Sequence, residues 1–426
     1  MMLISLCMIV KNEQFFLPSM LQTLRPFVEE IVIVDTGSTD NTIEVSRKFT
    51  DRLITLDEFP GFSEARNLAI NNARGDWILS LDADEIILPE DMLKLRRIAR
   101  TAPFDDGFFI SRTHYTGNGR WSLTWGIKFF KRIESIRYCK NIHESVGEAI
   151  TDWQEPFGRR LPWITDVQIH HFEIWKTKEQ LISKHYHYID LLEKEIQERP
   201  FDAHIYAFLA LEHFAVFGVN TAIETSDRAI NALIKDGGNP SGLPLLFRAL
   251  FNLKKHNVID AQADLEKIMS DGRSYTFKAA AALANIQYKN SNFEAAIELL
   301  NYALNQIGRD PAILCNLAIC NESLGRYEEA LLLYREVLLI SPYLSDSRIY
   351  SSPSNESVYS MQEDLFTNYK GVWYHIVDCL QFLGHVDLEK KARKRIELIL
   401  NSSNHSIDFI HGEPNTSYSE FSIFTK

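Results

Sequence analysis

Residues 1–100 switch between short apolar runs and amphipathic stretches, and this pattern predicts alternating strands and helices. The runs LISLCMIV, EIVIVD, RLITL and WILSLD read as strands. Between them, Phe15 to Leu24 reads as helical. TGSTDNTIEVSRKF reads as a turn and a helix with Ser38, Thr39 or Asp40 as N-cap, and FSEARNLAINNA as a helix that stops near Gly75. Strand–helix alternation of this kind builds a doubly wound, mainly parallel sheet. Its ligands bind beyond the carboxyl ends of the strands, which is where Asp35 and Asp82 fall.

From 101 to 175 the chain is rich in aromatics and β-like runs, GFFISR, GIKFFKR and ITDVQIHHFEIW, read as added strands that close the sheet and shape a pocket. Near residue 180 the pattern becomes helical. Alanines twelve apart recur as Ala210/Ala222, Ala249/Ala261, Ala284/Ala296 and Ala318/Ala330, with first members 39, 35 and 34 residues apart. This resembles the tetratricopeptide repeat, a helix pair of about 34 residues in which small residues allow close approach. A fifth, weaker copy starts near Trp373 and passes through Leu383-Gly384. The polar stretch SDSRIYSSPSNESVYSMQED reads as a loop, and the tail from Asn401 as disordered.

A chain of 426 residues exceeds what one core usually serves. Net charge is −12. Lys and Arg read as spread throughout with no dense basic run, which argues against a nucleic-acid partner and a strongly basic membrane-docking surface. Five cysteines at irregular spacing, with no CxxC, read as reduced cytosolic thiols. The opening MMLISLCMIV lacks a basic flank and a cleavage site and reads as a buried strand. No apolar run approaches the ~20 residues that span a bilayer.

Candidate chemistry sits in DWILSLDADEIILPE, residues 76–90, where a strand runs into Asp82, Asp84 and Glu85. Clustered carboxylates repel unless a cation or donor compensates. They are either a solvated turn or, at the end of an apolar strand, a site for a hard divalent ion bridging to phosphate.

Four segments in order, MIVKNE (8–13), IVIVDTGSTDNT (31–42), GFSEARNLAI (61–70) and DWILSLDADE (76–85), resemble the inverting family 2 glycosyltransferases of GT-A fold. KFFK (128–131), IHES (142–145) and IHHFE (169–173) resemble the branch of that family with C-terminal tetratricopeptide repeats. That branch includes enzymes of lipopolysaccharide core and of bacteriocin glycosylation. The expected fold class is an α/β GT-A domain, Rossmann-like with a mainly parallel sheet, followed by an all-α tetratricopeptide-repeat domain. The boundaries are 1–178 for the first, 179–200 for a linker helix, 201–398 for the repeats and 399–426 for a polar tail.

The resemblance implies a nucleotide-sugar donor, with a UDP-sugar favoured, and a divalent cofactor, Mn²⁺ or Mg²⁺. Asp35 would hydrogen-bond base or ribose, and Glu13 would line the same pocket. Arg66 would hold the diphosphate with Asn67 in support. Asp82 would face ribose or the metal, Asp84 would be the main metal ligand, and His171 would complete the metal shell or touch a phosphate. Lys128 and Lys131 stand where the branch often has arginines, keeping charge without bidentate phosphate contact. An alcohol acceptor needs a base, for which Glu144 and then His143 are candidates. The alternatives are a salt-bridge partner for Glu144 and a core histidine for His143. His185 and His187 read as structural.

The reading is a metal-dependent inverting glycosyltransferase whose repeats hold a saccharide, lipid-linked saccharide or peptide acceptor. It is placed in the cytoplasm, with a peripheral site at the inner membrane face and homo-oligomerisation left open. Its rivals are a catalytically inactive glycosyltransferase-like scaffold and a phosphatase using an Asp nucleophile in DADE, which lacks the D-x-D-x-T surround.

Overall fold

The computed structural model describes residues 4–401 except 103–104, 118–119, 141, 143, 160, 173–177, 239–241, 273–274 and 346–370. The polar stretch before the last helix pair lies almost wholly outside the described residues, as does the tail from 402. Contacts divide the described chain into two compact units: 4–114 with 124–172, and 115–123 with 178–401.

The first unit is a sheet with helices on both faces. Its elements are β1 (Ile4–Val10), α1 (Leu17–Leu24), β2 (Glu30–Asp35), α2 (Thr42–Phe49), β3 (Arg52–Thr55), α3 (Phe62–Asn72), β4 (Trp77–Ser80) and β5 (Glu85–Ile87). They continue as α4 (Pro89–Thr101), β6 (Gly107–Gly117), β7 (Arg120–Lys131), α5 (Gly147–Gln154) and β8 (Trp163–Phe172). Strand order is β3-β2-β1-β4-β7-β6-β8-β5. The β3, β2, β1 and β4 strands run parallel, while β7 joins β4, and β5 joins β8, antiparallel. The three-residue strand β5 was not foreseen; its acidic start masks it in a pattern search.

The central strands are apolar at nearly every position because both faces are covered. Ile4, Leu6, Met8 and Val10 of β1 share one core with Met20 and Leu21 of α1 and Met92 and Leu95 of α4. Cys7, Val32, Val34 and Ile78 point the other way, against Ala65, Ala69 and Ile70 of α3. Period-two alternation thus splits each strand between two cores.

In the helical unit α6 (Lys178–Glu198) packs on α7. Five pairs follow: α7 (Ala203–Phe217) and α8 (Val219–Lys235), α9 (Leu243–Lys254) and α10 (Val258–Asp271), α11 (Thr276–Lys289) and α12 (Phe293–Ile307), α13 (Pro311–Ser323) and α14 (Tyr327–Ile340), α15 (Val372–Phe382) and α16 (Val386–Asn401). These are helix pairs of the tetratricopeptide kind. All eight alanines of the recurring pairs are fully buried. With no side chain beyond Cβ, they let the two helices of each pair approach closely. The turns at Gly325 and Gly384 have φ of +73°, which glycine adopts without steric cost.

One expectation is corrected here. Lys390, Lys391, Arg393, Lys394 and Arg395 put five cations in six positions of α16. The chain's overall negative charge conceals this basic run, whose Lys390, Lys391 and Lys394 are exposed. No helix among the described residues is long and apolar enough to cross a membrane.

Candidate functional site

Three parallel strands end level. Val10 of β1 pairs with Asp35 of β2, and Asp35 with Thr55 of β3. The loops that follow β1 and β2 fasten to each other. Asn12 takes a left-handed backbone, φ 58°, its N–H donates to Ser38 Oγ at 2.9 Å, and its Oδ1 accepts from Thr39 N at 2.8 Å. The Glu13 N–H donates to Thr42 Oγ1 at 2.7 Å, so Glu13 is placed at this seam. The N-cap of α2 is Asn41, not Ser38, Thr39 or Asp40, and its side chain makes no capping bond; one residue earlier, Asp40 Oδ1 accepts from Thr42 N at 2.9 Å.

Asp35 closes β2 and is 1% exposed. Its Oδ1 accepts from Gly37 N at 3.0 Å and Ser38 N at 2.9 Å. The turn is possible because Gly37 has φ +98°. Oδ2 is buried and has no hydrogen-bond partner. A buried carboxylate oxygen left this way retains an unused capacity to accept a hydrogen bond.

The acids of the opening motif divide into different roles. β4 stops at Ser80, opposite Cys7, and the chain turns back at once, with Glu85 N donating to Asp82 O at 3.1 Å. Glu85 is fully buried. Its Oε1 pairs with Arg112 Nη1 at 2.8 Å, while its Oε2 accepts from Asp82 N at 2.9 Å and lies 3.3 Å from Lys128 Nζ. It ties the turn to β6 and β7. Asp82 Oδ1 pairs with Arg66 Nη2 at 2.7 Å and Oδ2 with Lys128 Nζ at 3.3 Å. Burial pushes the Asp82 carboxyl up, but Arg66 and Lys128 outweigh it and hold it well below the usual carboxylate range. The same balance runs in reverse for Lys128, where Asp82 and Glu85 overcome burial and raise its pKa. Asp84 is nearly buried, with Oδ2 3.2 Å from His171 Nε2, and its carbonyl accepts from Phe172 N at 3.2 Å.

One face of α3 grips the segment that carries Glu144. Ser63, Arg66 and Asn67 are spaced i, i+3 and i+4, so their side chains are neighbours. Ser63 Oγ donates to Lys140 O at 2.5 Å. Arg66 Nε donates to Glu144 Oε1 at 2.7 Å. Asn67 exchanges two bonds with the Tyr138 backbone, at 2.9 and 2.8 Å. Arg66 therefore bridges Asp82 and Glu144 while its Nη1 remains buried and unpartnered.

The remaining expected residues fall elsewhere. Asn67 binds the Tyr138 backbone through both atoms of its amide. Lys131 pairs across from Trp77, at the opposite end of β4 from the acids, with Nζ 3.6 Å from Asp106 Oδ1. A strand rises about 3.3 Å per residue, so Lys128 and Lys131 lie roughly 10 Å apart and on opposite faces. His143 lies outside the described residues. His170 is fully buried, and burial lowers its pKa to about 3.

Residues 5–152 match the family described as Glycosyl transferase family 2. These residues form a family 2 glycosyltransferase domain. A TPR repeat-containing protein of Synechococcus elongatus is 33% identical over 204 residues, 47% of this chain and 50% of that protein. The chain thus spans about half the length of this relative. The SPbeta prophage-derived glycosyltransferase SunS of Bacillus subtilis is 23% identical over 304 residues, 68% of this chain and 69% of SunS. Among solved structures, S. aureus TarS in complex with UDP-GlcNAc aligns at TM-score 0.36 and 16% identity, over 64% of this chain and 93% of that one. MamA AMB-1 aligns at TM-score 0.34 and 14% identity, over 48% and 94%.

Sequence reasoning missed three residues of the glycosyltransferase domain. Arg112 and His114 lie two apart on β6 and so share a face of the sheet. Arg112 Nε donates to His114 Nε2 at 3.2 Å, Thr124 Oγ1 is 2.8 Å from the same nitrogen, and His114 Nδ1 is 2.8 Å from His171 Nδ1. Period-two spacing in SRTHY was the available signal, but nothing local tied it to His171, 57 positions away.

Proposed function

We propose that this protein transfers a sugar, with inversion, from a UDP-sugar to an acceptor presented by its helix pairs. The observation that carries the reading is a pair of buried, unpartnered polar atoms, Asp35 Oδ2 and Arg66 Nη1, at the carboxyl ends of the strands. They are of opposite kind. An acceptor suits the N–H or O–H of a nucleoside, and a guanidinium N–H suits its diphosphate. Lys128 adds a second cation.

The acid that would hold a divalent ion, Mn²⁺ or Mg²⁺, is Asp84. Asp82 already accepts from Arg66 and Lys128. Among the described residues no group of three or more His, Cys, Asp or Glu is arranged to hold a metal ion, and such an ion would draw further oxygens from the donor itself. When bound, it supplies neutralisation of charge on the departing nucleoside diphosphate. Glu144 is the proposed base. Its hold on Arg66 is shared with Asp82, so a diphosphate that draws the guanidinium away frees Glu144 for the acceptor's proton. The helix pairs, 201–398, would present the acceptor, a saccharide, lipid-linked saccharide or peptide, since stacked pairs form an extended concave surface.

The test is UDP binding by calorimetry together with UDP-sugar hydrolysis. Asp35→Asn and Asp35→Ala are expected to weaken UDP binding by about 10-fold or more, the worth of one charge-assisted hydrogen bond. Wild-type affinity in both variants would remove the nucleotide from this site. A second reading, an inactive scaffold, has an observation behind it as well: Asp82, Glu85 and Glu144 are each neutralised by an internal cation. It predicts no hydrolysis of any nucleotide sugar by the wild type, with or without metal.

A further inference from the structure

Behind Asp84 runs a chain of two histidines whose direction is set from one end. Arg112 is held by the buried carboxylate of Glu85, Nη1 to Oε1 at 2.8 Å, and its Nε–H points to His114 Nε2 at 3.2 Å. A guanidinium can only donate, so His114 Nε2 must accept. Thr124 Oγ1, 2.8 Å from the same nitrogen, can donate or accept; when it donates it shares the nitrogen's single lone pair with Arg112 in a three-centre contact. The His114 proton then sits on Nδ1, 2.8 Å from His171 Nδ1. That second contact needs an acceptor, which places the His171 proton on Nε2. There it faces Asp84 Oδ2 at 3.2 Å.

We infer that Arg112, through His114, makes His171 an N–H donor that orients the Asp84 carboxylate, rather than a ligand of the ion that Asp84 would hold. To ligate through Nε2, His171 would have to carry its proton on Nδ1, against the Nδ1–H of His114. Reversing His114 in turn would set its Nε2–H against the Nε–H of Arg112. One obligate donor therefore blocks the whole reversal. The positions are fixed by packing. His114 is fully buried and His171 nearly so, with their rings edge to face at 4.8 Å between centroids. The arrangement matches a general pattern in which an outer partner fixes a histidine's tautomer, but here the ring's working nitrogen serves a carboxylate.

The inference rests on Asp84 as the metal-holding acid, and two measurements separate the two claims. Long-range ¹H–¹⁵N spectra of the metal-free protein, labelled at histidine and assigned with single variants, should show His171 protonated at Nε2 and His114 at Nδ1. His171 protonated at Nδ1 would overturn the proposal. Mn²⁺ binding in the presence of UDP, followed by the electron paramagnetic resonance of the free ion, is the second. Asp84→Asn should weaken it by about 100-fold and His171→Ala by about 10-fold, the range found for outer partners of a metal site. His171→Gln, which still offers an N–H, should stay within about 3-fold of wild type. A loss in His171→Gln as large as in Asp84→Asn identifies His171 as a ligand and also overturns the proposal. Unchanged Mn²⁺ binding in Asp84→Asn sinks the metal reading alone, and the spectra still decide the proton chain.

Discussion

Around Asp82, a single network joins Arg66, Lys128, Glu85, Arg112 and Glu144, most of them largely out of solvent. The helix pairs bury almost the opposite chemistry. Their recurring alanines are fully buried, and charge enters in small groups such as Arg248, which bridges Asp264 at 2.7 and 2.8 Å and Asp227 at 2.7 Å. Buried charge is costly and is kept only where every member is paired. A seam of small residues carries no such cost and can be repeated. The difference teaches where each unit can change. On the proposed reading, exchanging a charged residue of this network should alter ligand binding as well as stability, whereas exchanging a seam residue should alter stability alone.

The largest effect is expected from Arg66→Ala. It leaves Asp82 and Glu144 facing each other without their shared cation. The loss should be about 3 kcal/mol of unfolding free energy, measured by chemical denaturation. UDP binding by calorimetry should fall about 30-fold or more in the same variant. Loss of stability with unchanged UDP affinity would make the network a structural one. Ala318→Leu probes the other side of the comparison. Overpacking that seam should cost about 1–3 kcal/mol while UDP affinity stays at the wild-type value. A change in UDP affinity would show that the two units are energetically coupled.

The smallest expected effect concerns Asp40 at the fastened loops. Slight burial pushes its carboxyl up, but the hydroxyl and N–H of Thr42 and the N–H of Gln14 outweigh it and lower the pKa. A carboxylate depressed in this way contributes stability above its unfolded pKa, about 3.9, and loses it as pH falls through the folded value. Because solvent screens this partly exposed group, Asp40→Ala should cost about 0.5 kcal/mol at pH 7. The gap between the denaturation curves of variant and wild type should narrow progressively as pH falls below about 4 and through the lowered folded value. A difference that does not narrow as pH falls would assign the effect to packing.

Much of this was legible along the chain because it depends on neighbours in sequence. Periods of two and of three to four place the strands and helices, since they report which side of an element meets a core. The alanine pairs reveal the repeats, since one seam recurs at one spacing. Asp35 and the DADE turn mark the strand ends because the apolar runs stop there. Tertiary structure alone decided the partners. Asn67 looked like a ligand residue from its place beside Arg66, yet it binds the backbone of Tyr138, 71 positions on. Glu85 stood in the acidic cluster with no role of its own and became the buried anchor of Arg112. Lys131 shares a motif with Lys128, but the strand carries it to the far end of β4. The physical reason is the same in each case. Hydrogen bonds and ion pairs are short-ranged and directional, and strand order β4-β7-β6-β8 brings together residues that no local pattern connects.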